Sequence, residues 1–194
     1  SEMIITLDQI QNFENLYRRS FINSLAGFRQ VVLVGTRSQT GTPNLAIFNS
    51  LIHLGANPAL YGLISRPDST TRDTLENILQ TGFYTFNYVH SNAVKQAHQT
   101  SARYPSEISE FDAVGLTPCY KQEFFAPFVE EAPVTIAMRF EDRIHIKLNN
   151  TSLLVGSIQW VEVNEKIIHA DGYIDLAGED ILISCGLDAY FRTQ

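Results

Sequence analysis

The stretch 41–82 constrains the fold of this chain more than any other. It alternates like a strand over 44–50 and again over 59–65, then turns helical, with Leu75, Ile78 and Leu79 at helix spacing and Gly82 placed as its C-cap. Asn57-Pro58 separates the two strands as a turn, and Arg66-Pro67 closes the second, because a residue before proline is pushed out of the helical region. The helix is expected to begin between Thr70 and Asp73, with Asp73-Thr-Leu-Glu76 as an N-cap followed by its N3 glutamate. That beginning is crowded with Ser69, Thr70, Thr71 and Thr74, and with the cations Arg66 and Arg72. A helix start carries unpaired N–H groups and a partial positive charge. Capping accounts for one or two hydroxyls, not four beside two arginines, so the stretch is read as the seat of a phosphate-bearing cofactor.

Alternation puts Asn44, Ala46, Phe48 and Ser50 on one strand face and Leu45, Ile47, Asn49 and Leu51 on the other. The first face is small, polar and aromatic in turn. It suits either a flat heterocycle against the backbone or the half-solvated side of an edge strand.

A strand is expected over 28–36, and the turn Arg37-Ser-Gln-Thr-Gly41 joins it to 44–50 as a hairpin, with Gly41 in a left-handed position. Before it, Thr6-Leu-Asp-Gln9 fits a capping box, and Ile10, Phe13 and Tyr17 continue one amphipathic helix to about Arg19. Arg18 and Arg19 then serve its C-terminal dipole or add a second cationic contact to a ligand. After residue 82 come an aromatic strand over 83–89, a polar helix over 91–102 and a long excursion over 104–129. The excursion is expected to pack through Phe111, Tyr120, Phe124, Phe125 and Phe128, or to line an entrance or a subunit interface. Two strands, 134–148 and 152–163, meet at Asn149-Asn150, with a bend or solvent-exposed stretch at Glu141-Asp142-Arg143. Six or more strands with few helices suggest a mainly β chain with peripheral helices, closed as an antiparallel, Greek-key-like barrel in a single domain over 1–194.

Composition bounds the partners. The 194 residues carry a net charge of −7, which argues against a nucleic-acid or anionic-membrane surface and makes a local cationic pocket stand out. Cys119 and Cys185 are expected as reduced thiols, and with no signal peptide or spanning apolar run the default is a cytoplasmic protein. The histidines at 53, 90, 98, 145 and 169 are scattered, so no metal is expected; His53 is either a ligand contact or a structural histidine. No nucleophile elbow or dinucleotide glycine motif occurs, and no residue is singled out as catalytic. A bound cofactor would then carry the chemistry.

These residues resemble a known family. Pro43-Asn-Leu-Ala-Ile-Phe-Asn-Ser50 is similar to the flavin-strand motif Asn-x-Ala-Pro-x-Ser of the flavin reductase-like, FMN-binding split-barrel proteins. Arg72-Asp-Thr-Leu-Glu-Asn-Ile78 resembles their Lys/Arg-Asp-Thr-x-x-Asn-Ile, and Leu154-Val-Gly-Ser-Ile-Gln-Trp-Val-Glu-Val163 and Asp171-Gly-Tyr-Ile-Asp175 resemble their C-terminal strands. The resemblance implies a homodimeric split barrel with FMN near the subunit interface. It implies either hydride transfer from NADH or NADPH to flavin, or flavoredoxin-like electron transfer with little nicotinamide oxidation. Carried over by position, Asn44, Ala46, Phe48 and the backbone from Leu45 through Ile47 and Asn49 to Ser50 would face the ring. Arg66, Arg72 and Thr74 would hold the phosphate, with Thr70 and Thr71 beside them. Ile47 stands where the motif has proline and Asn49 where it has serine, which alters the hydrogen bond at the flavin edge.

Overall fold

The computed structural model describes residues 1–67, 70–105 and 107–193. In chain order they form α1 (Leu7–Asn12), α2 (Asn15–Leu25), β1 (Phe28–Gln30), β2 (Val32–Arg37), β3 (Pro43–Phe48), β4 (Leu51–Ala56), β5 (Ala59–Ser65), α3 (Arg72–Thr81) and β6 (Phe83–Tyr88). Then come α4 (Val94–Gln99), α5 (Glu110–Val114), β7 (Pro118–Cys119), β8 (Phe128–Val129), β9 (Val134–Ile146), β10 (Thr151–Val163), β11 (Leu182–Cys185) and β12 (Ala189–Arg192).

Seven strands make one antiparallel sheet in the order β3-β2-β6-β9-β10-β5-β4. Its two edges, β3 and β4, are joined by only Asn49 and Ser50, so the sheet must curl until its edges meet at that corner. They meet without pairing, since the β2–β3 register ends at Phe48 and the β4–β5 register begins at Leu51. The barrel is therefore split, as the family resemblance implies, rather than closed as strand count alone suggests.

Period-two alternation fills the interior. Val32 lies opposite both Phe48 and Tyr88, Val34 opposite both Ala46 and Phe86, Phe86 opposite Ile136, and Tyr84 opposite Met138. These side chains form one buried cluster with Leu63, Leu154 and, from α3, Ile78. Each large apolar side chain so buried contributes roughly 1.5–3 kcal/mol. The other face of β2 and β3 presents Leu33 and Leu45 to a second cluster with Phe111, Val114, Val129 and Leu182.

Several elements differ from their sequence reading, each for a local reason. The capping box at Thr6 forms, but Phe13 turns extended (ψ 143°) and Glu14 caps a second helix, so one expected helix is two. Arg18 donates to the carbonyls of Gln11 and Phe13; it does serve a helix C-terminus, that of α1. The strand expected over 28–36 divides at Val31, because β1 pairs with β11 in a separate three-stranded sheet while β2 enters the barrel. β4 went unread, although the turn at Asn57-Pro58 and the β5 boundaries hold.

α3 starts within the expected window, between Thr70 and Asp73, but with Thr71 rather than Asp73 as N-cap, and ends as expected at Gly82 (φ 80°). Its buried face is Thr74, Asn77 and Ile78; Leu79 is exposed. The stripe is rotated because Thr74 and Asn77 bond Asn44 and Thr36, which lie opposite each other across the β2–β3 ladder. The aromatic excursion divides too. Phe111 and Phe128 are buried, Phe124 packs on Phe83 and Trp160, and Tyr120 and Phe125 flank the Arg37 guanidinium at 5.3 and 4.9 Å. The expected bend at 141–143 is a β-bulge: Asp142 faces Val155 and Phe140 faces Gly156, leaving Glu141 extra.

Inside the barrel the Tyr84 hydroxyl is buried against Gly156, without a hydrogen-bond partner among the described residues. Burial, with the Glu141 charge adding to it, pushes this phenol well above the ordinary tyrosine range. A Cβ at Gly156 would overlap that oxygen and approach the ring. Gly156→Ala is therefore expected to cost about 1–3 kcal/mol in denaturant unfolding, and less in a Tyr84→Phe background, which removes the overlapped atom. Equal cost in both backgrounds would refute this packing.

Candidate functional site

At the corner where β3 and β4 part, a cleft of about 220 Å³ opens. It is lined by Val31, Ile47, Phe48, Asn49, Ser50, Ile64, Arg66, Thr70, Thr71, Ser184, Leu187 and Tyr190. Seven of the twelve expected site residues thus come together there: Ile47, Phe48, Asn49, Ser50, Arg66, Thr70 and Thr71.

The seam explains the convergence. Asn49 and Ser50 belong to neither ladder, and their side chains act as latches. Ser50 Oγ donates to the Ile64 carbonyl (3.0 Å), tying the seam to β5. Asn49 Nδ2 donates to the Gly186 carbonyl (3.1 Å) and Ser184 Oγ (3.3 Å), drawing the β11–β12 hairpin over the cleft. The amide at position 49 is therefore engaged with the C-terminal hairpin. β5 ends at Ser65, so Arg66 emerges beside the seam, and the N-cap Thr71 brings the positive end of α3 to the same place.

The other five lie elsewhere. Asn44 and Ala46 do share a face with Phe48, as alternation requires, but that face is the barrel interior packed against α3. Leu45 is wholly buried in the opposite cluster. Thr74 is buried on Asn44 (2.9 Å). Arg72 points outward, its side chain 79% exposed and ion-paired with Glu76 at 2.9 Å, the usual i,i+4 partner. Ser69 lies outside the described residues, and His53 is exposed, its ring tilted 6.1 Å from Tyr61.

Sequence reading missed Val31, Ile64, Ser184, Leu187 and Tyr190. Ser184, Leu187 and Tyr190 arrive through the β1–β11 pairing, a contact across some 150 residues that no local pattern announces. Tyr190 accepts or donates a hydrogen bond at His98 Nδ1 (2.7 Å), and burial, then the Asp188 charge, raises its phenol.

Electrostatics separate this cleft from its neighbour. Arg66 is its sole charged lining residue among those described, beside apolar walls from Val31, Ile47, Ile64 and Leu187. On the far side of β3 and α3, a polar cleft of about 310 Å³ is lined by Asp73, Glu76 and Glu110 with Asn44, Asn77 and Gln80. Thus an anion with a flat apolar body fits the first cleft and is repelled by the second. Among the described residues no group of three His, Cys, Asp or Glu is placed to hold a metal ion, and no helix is long and apolar enough to cross a membrane.

Comparison with known proteins agrees with this fold. The structure superposes on a candidate flavin reductase with a split barrel domain from Shewanella frigidimarina NCIMB 400, with TM-score 0.94, 43% identity, and 98% of this chain and 95% of that one covered. It shares its fold with nitrilotriacetate monooxygenase component B from Bacillus cereus (TM-score 0.86, 20% identity, covering 99% and 96%). The same holds for flavoredoxin of Desulfovibrio vulgaris (Miyazaki F) (TM-score 0.73, 22% identity, covering 85% and 86%). The family model of the flavin reductase like domain matches residues 28–176, and the chain belongs to that family of split barrels.

Proposed function

We propose that this chain is an FMN-dependent oxidoreductase using NADH or NADPH as donor, with the cofactor in the cleft at the β3–β4 seam. The observation that carries the reading is the meeting of Arg66, Thr70 and Thr71 with the strand end Ile47–Ser50, two segments joined only by fold. The donor set fits the cofactor. Arg66 offers a guanidinium fork suited to phosphate oxygens, Thr70 and Thr71 offer hydroxyls, and α3 offers its positive end. Val31, Ile47, Ile64 and Leu187 offer apolar walls for a ring, and the amides of Asn49 and Ser50, outside both ladders, are the backbone donors nearest in kind to an oxyanion-type contact at its polar edge. Bound FMN would supply the hydride and electron chemistry. The protein's part is to hold the phosphate, orient the ring and exclude water.

A cleft of about 220 Å³ is smaller than the roughly 300–1,000 Å³ of pockets that bury drug-sized ligands. We propose that a second copy of the chain completes it. Ile64 lines the cleft and shares the outer sheet face with Leu153, Ile52, Leu54 and Ile144, the last three exposed, an apolar surface continuous with the site. On this reading the protein sediments as a dimer, and Leu54→Lys shifts it toward monomer while weakening FMN binding; a monomer that binds FMN normally would contradict it.

Titration with FMN under fluorescence detection tests the anchor. Arg66→Ala is expected to weaken binding by about 1.5–3 kcal/mol, the scale of a hydrogen bond to a charged group. Arg72→Ala is expected to change affinity less than about threefold, since its exposed pair with Glu76 is worth little. The reverse order of effects would move the phosphate to Arg72, where the motif alone had placed it. Anaerobic mixing of the FMN-loaded protein with NADH and with NADPH then tests the donor: flavin bleaching is expected with one of them. No bleaching with either identifies an electron carrier instead.

A further inference from the structure

Three of the motif residues that miss the cleft meet one another behind it. Thr74 Oγ1 lies 2.9 Å from the Asn44 amide, and the amide satisfies its surroundings when its oxygen accepts from Thr74 and its nitrogen donates to Glu110, at 2.9 Å to Oε2 and 3.1 Å to Oε1. The Leu45 N–H, on the free edge of β3, donates to the same Glu110 Oε2 at 3.3 Å. Asn44 and Thr74 are buried, and this chain of contacts satisfies their polar side-chain atoms. One clamp thus joins β3, α5 and the first turn of α3.

Its position matters. Asn44 lies three residues before Ile47, where the cleft wall begins, and Thr74 lies three residues after Thr71, where the phosphate side ends. A parallel bond, Asn77 Nδ2 to Thr36 Oγ1 (3.0 Å), grips the next turn of α3 from the cross-strand neighbour of Asn44. Two adjacent strand positions therefore hold two positions i, i+3 on the helix, which fixes both the height and the rotation of α3 over the sheet.

We propose that Asn44, Thr74 and Glu110 are positioning residues that set the spacing between the two halves of the cofactor cleft, and so the affinity for the phosphate end of the ligand. The proposal rests on FMN occupying that cleft. It also predicts a pH dependence, because Glu110 accepts from Asn44 and Leu45 as a carboxylate. Burial, opposed by hydrogen bonds from the backbone N–H groups of Glu110 itself and of Leu45, raises its titration above the ordinary carboxylate range, and the Asp73 charge adds to the rise. Lining the separate polar cleft beside Glu110, among the described residues, are Asp73 and Glu76 from α3 and Tyr104 from the segment before α5, with the hydroxyls of Ser38, Thr40 and Thr42 from the β2–β3 hairpin; Asp112 lies on α5 itself. Ionised Glu110 holds the clamp, so clamp strength is present above this raised pKa and is lost as pH falls through it.

The test compares Kd for FMN with Kd for riboflavin, which lacks the phosphate, in the full-length protein. Thr74→Val is expected to weaken FMN about tenfold while leaving riboflavin unchanged, and Thr74→Ser to restore the difference. Glu110→Gln is expected to make the acid-side fall in FMN affinity shallower than in the parent when the two are compared at each pH, leaving the part due to protonation of the phosphate itself, whose second pKa is about 6. Loss of FMN and riboflavin affinity in equal proportion, or unchanged FMN affinity in Thr74→Val, would overturn the proposal; so would an acid-side fall as steep in Glu110→Gln as in the parent. A parent protein that binds neither ligand would instead defeat the FMN reading itself, and the clamp's role with it.

Discussion

The split at Asn49-Ser50 governs this molecule. A two-residue link forces the edges of a seven-stranded sheet together, and the absence of β3–β4 pairing keeps them from zipping shut. An unpaired seam is costly in a folded protein, because backbone donors and acceptors seek partners. Here side chains hold it in place: Ser50 ties it to β5 and Asn49 ties it to the C-terminal hairpin. The result is a corner with backbone outside any ladder, apolar walls and a helix N-terminus close by. That is the physical basis for reading a cofactor cleft there.

Much of this was legible beforehand. Strand alternation fixed which residues of β3 share a face, the hairpin at Gly41 and the C-cap at Gly82 were readable from backbone preferences, and the grouping of Arg66, Thr70 and Thr71 survives in the structure. What alternation does not reveal is which face looks inward. The face reads as suited to a ring because it carries polar Asn44 and small Ala46; in the structure Asn44 bonds Thr74 of α3 and Ala46 packs in the barrel core. Arg72 stands outside the cleft for a related reason. Its neighbours are cleft residues, but the helical turn that starts at Thr71 swings position 72 outward to Glu76. The contributions of Ser184, Leu187 and Tyr190 were beyond local reading, since only the β1–β11 pairing brings them near.

A division of labour follows within the family motif. Residues at the ends of the two segments line the cleft, and residues just inside them hold the segments to each other. The departure at position 49 fits the same scheme, because an asparagine there reaches the Gly186 carbonyl and Ser184 hydroxyl and so binds a hairpin to the seam. Separation of charge adds to this: the protein is acidic overall, and Asp73, Glu76 and Glu110 line one cleft while the Arg66 cation lines the other.

The most direct measurement is a crystal structure of the protein grown with excess FMN. The account predicts phosphate density against Arg66, Thr70 and Thr71, with the ring running along Ile47–Ser50 beneath the β11–β12 hairpin. Flavin bound at another surface, or a cleft at the seam holding only solvent under saturating FMN, would contradict it.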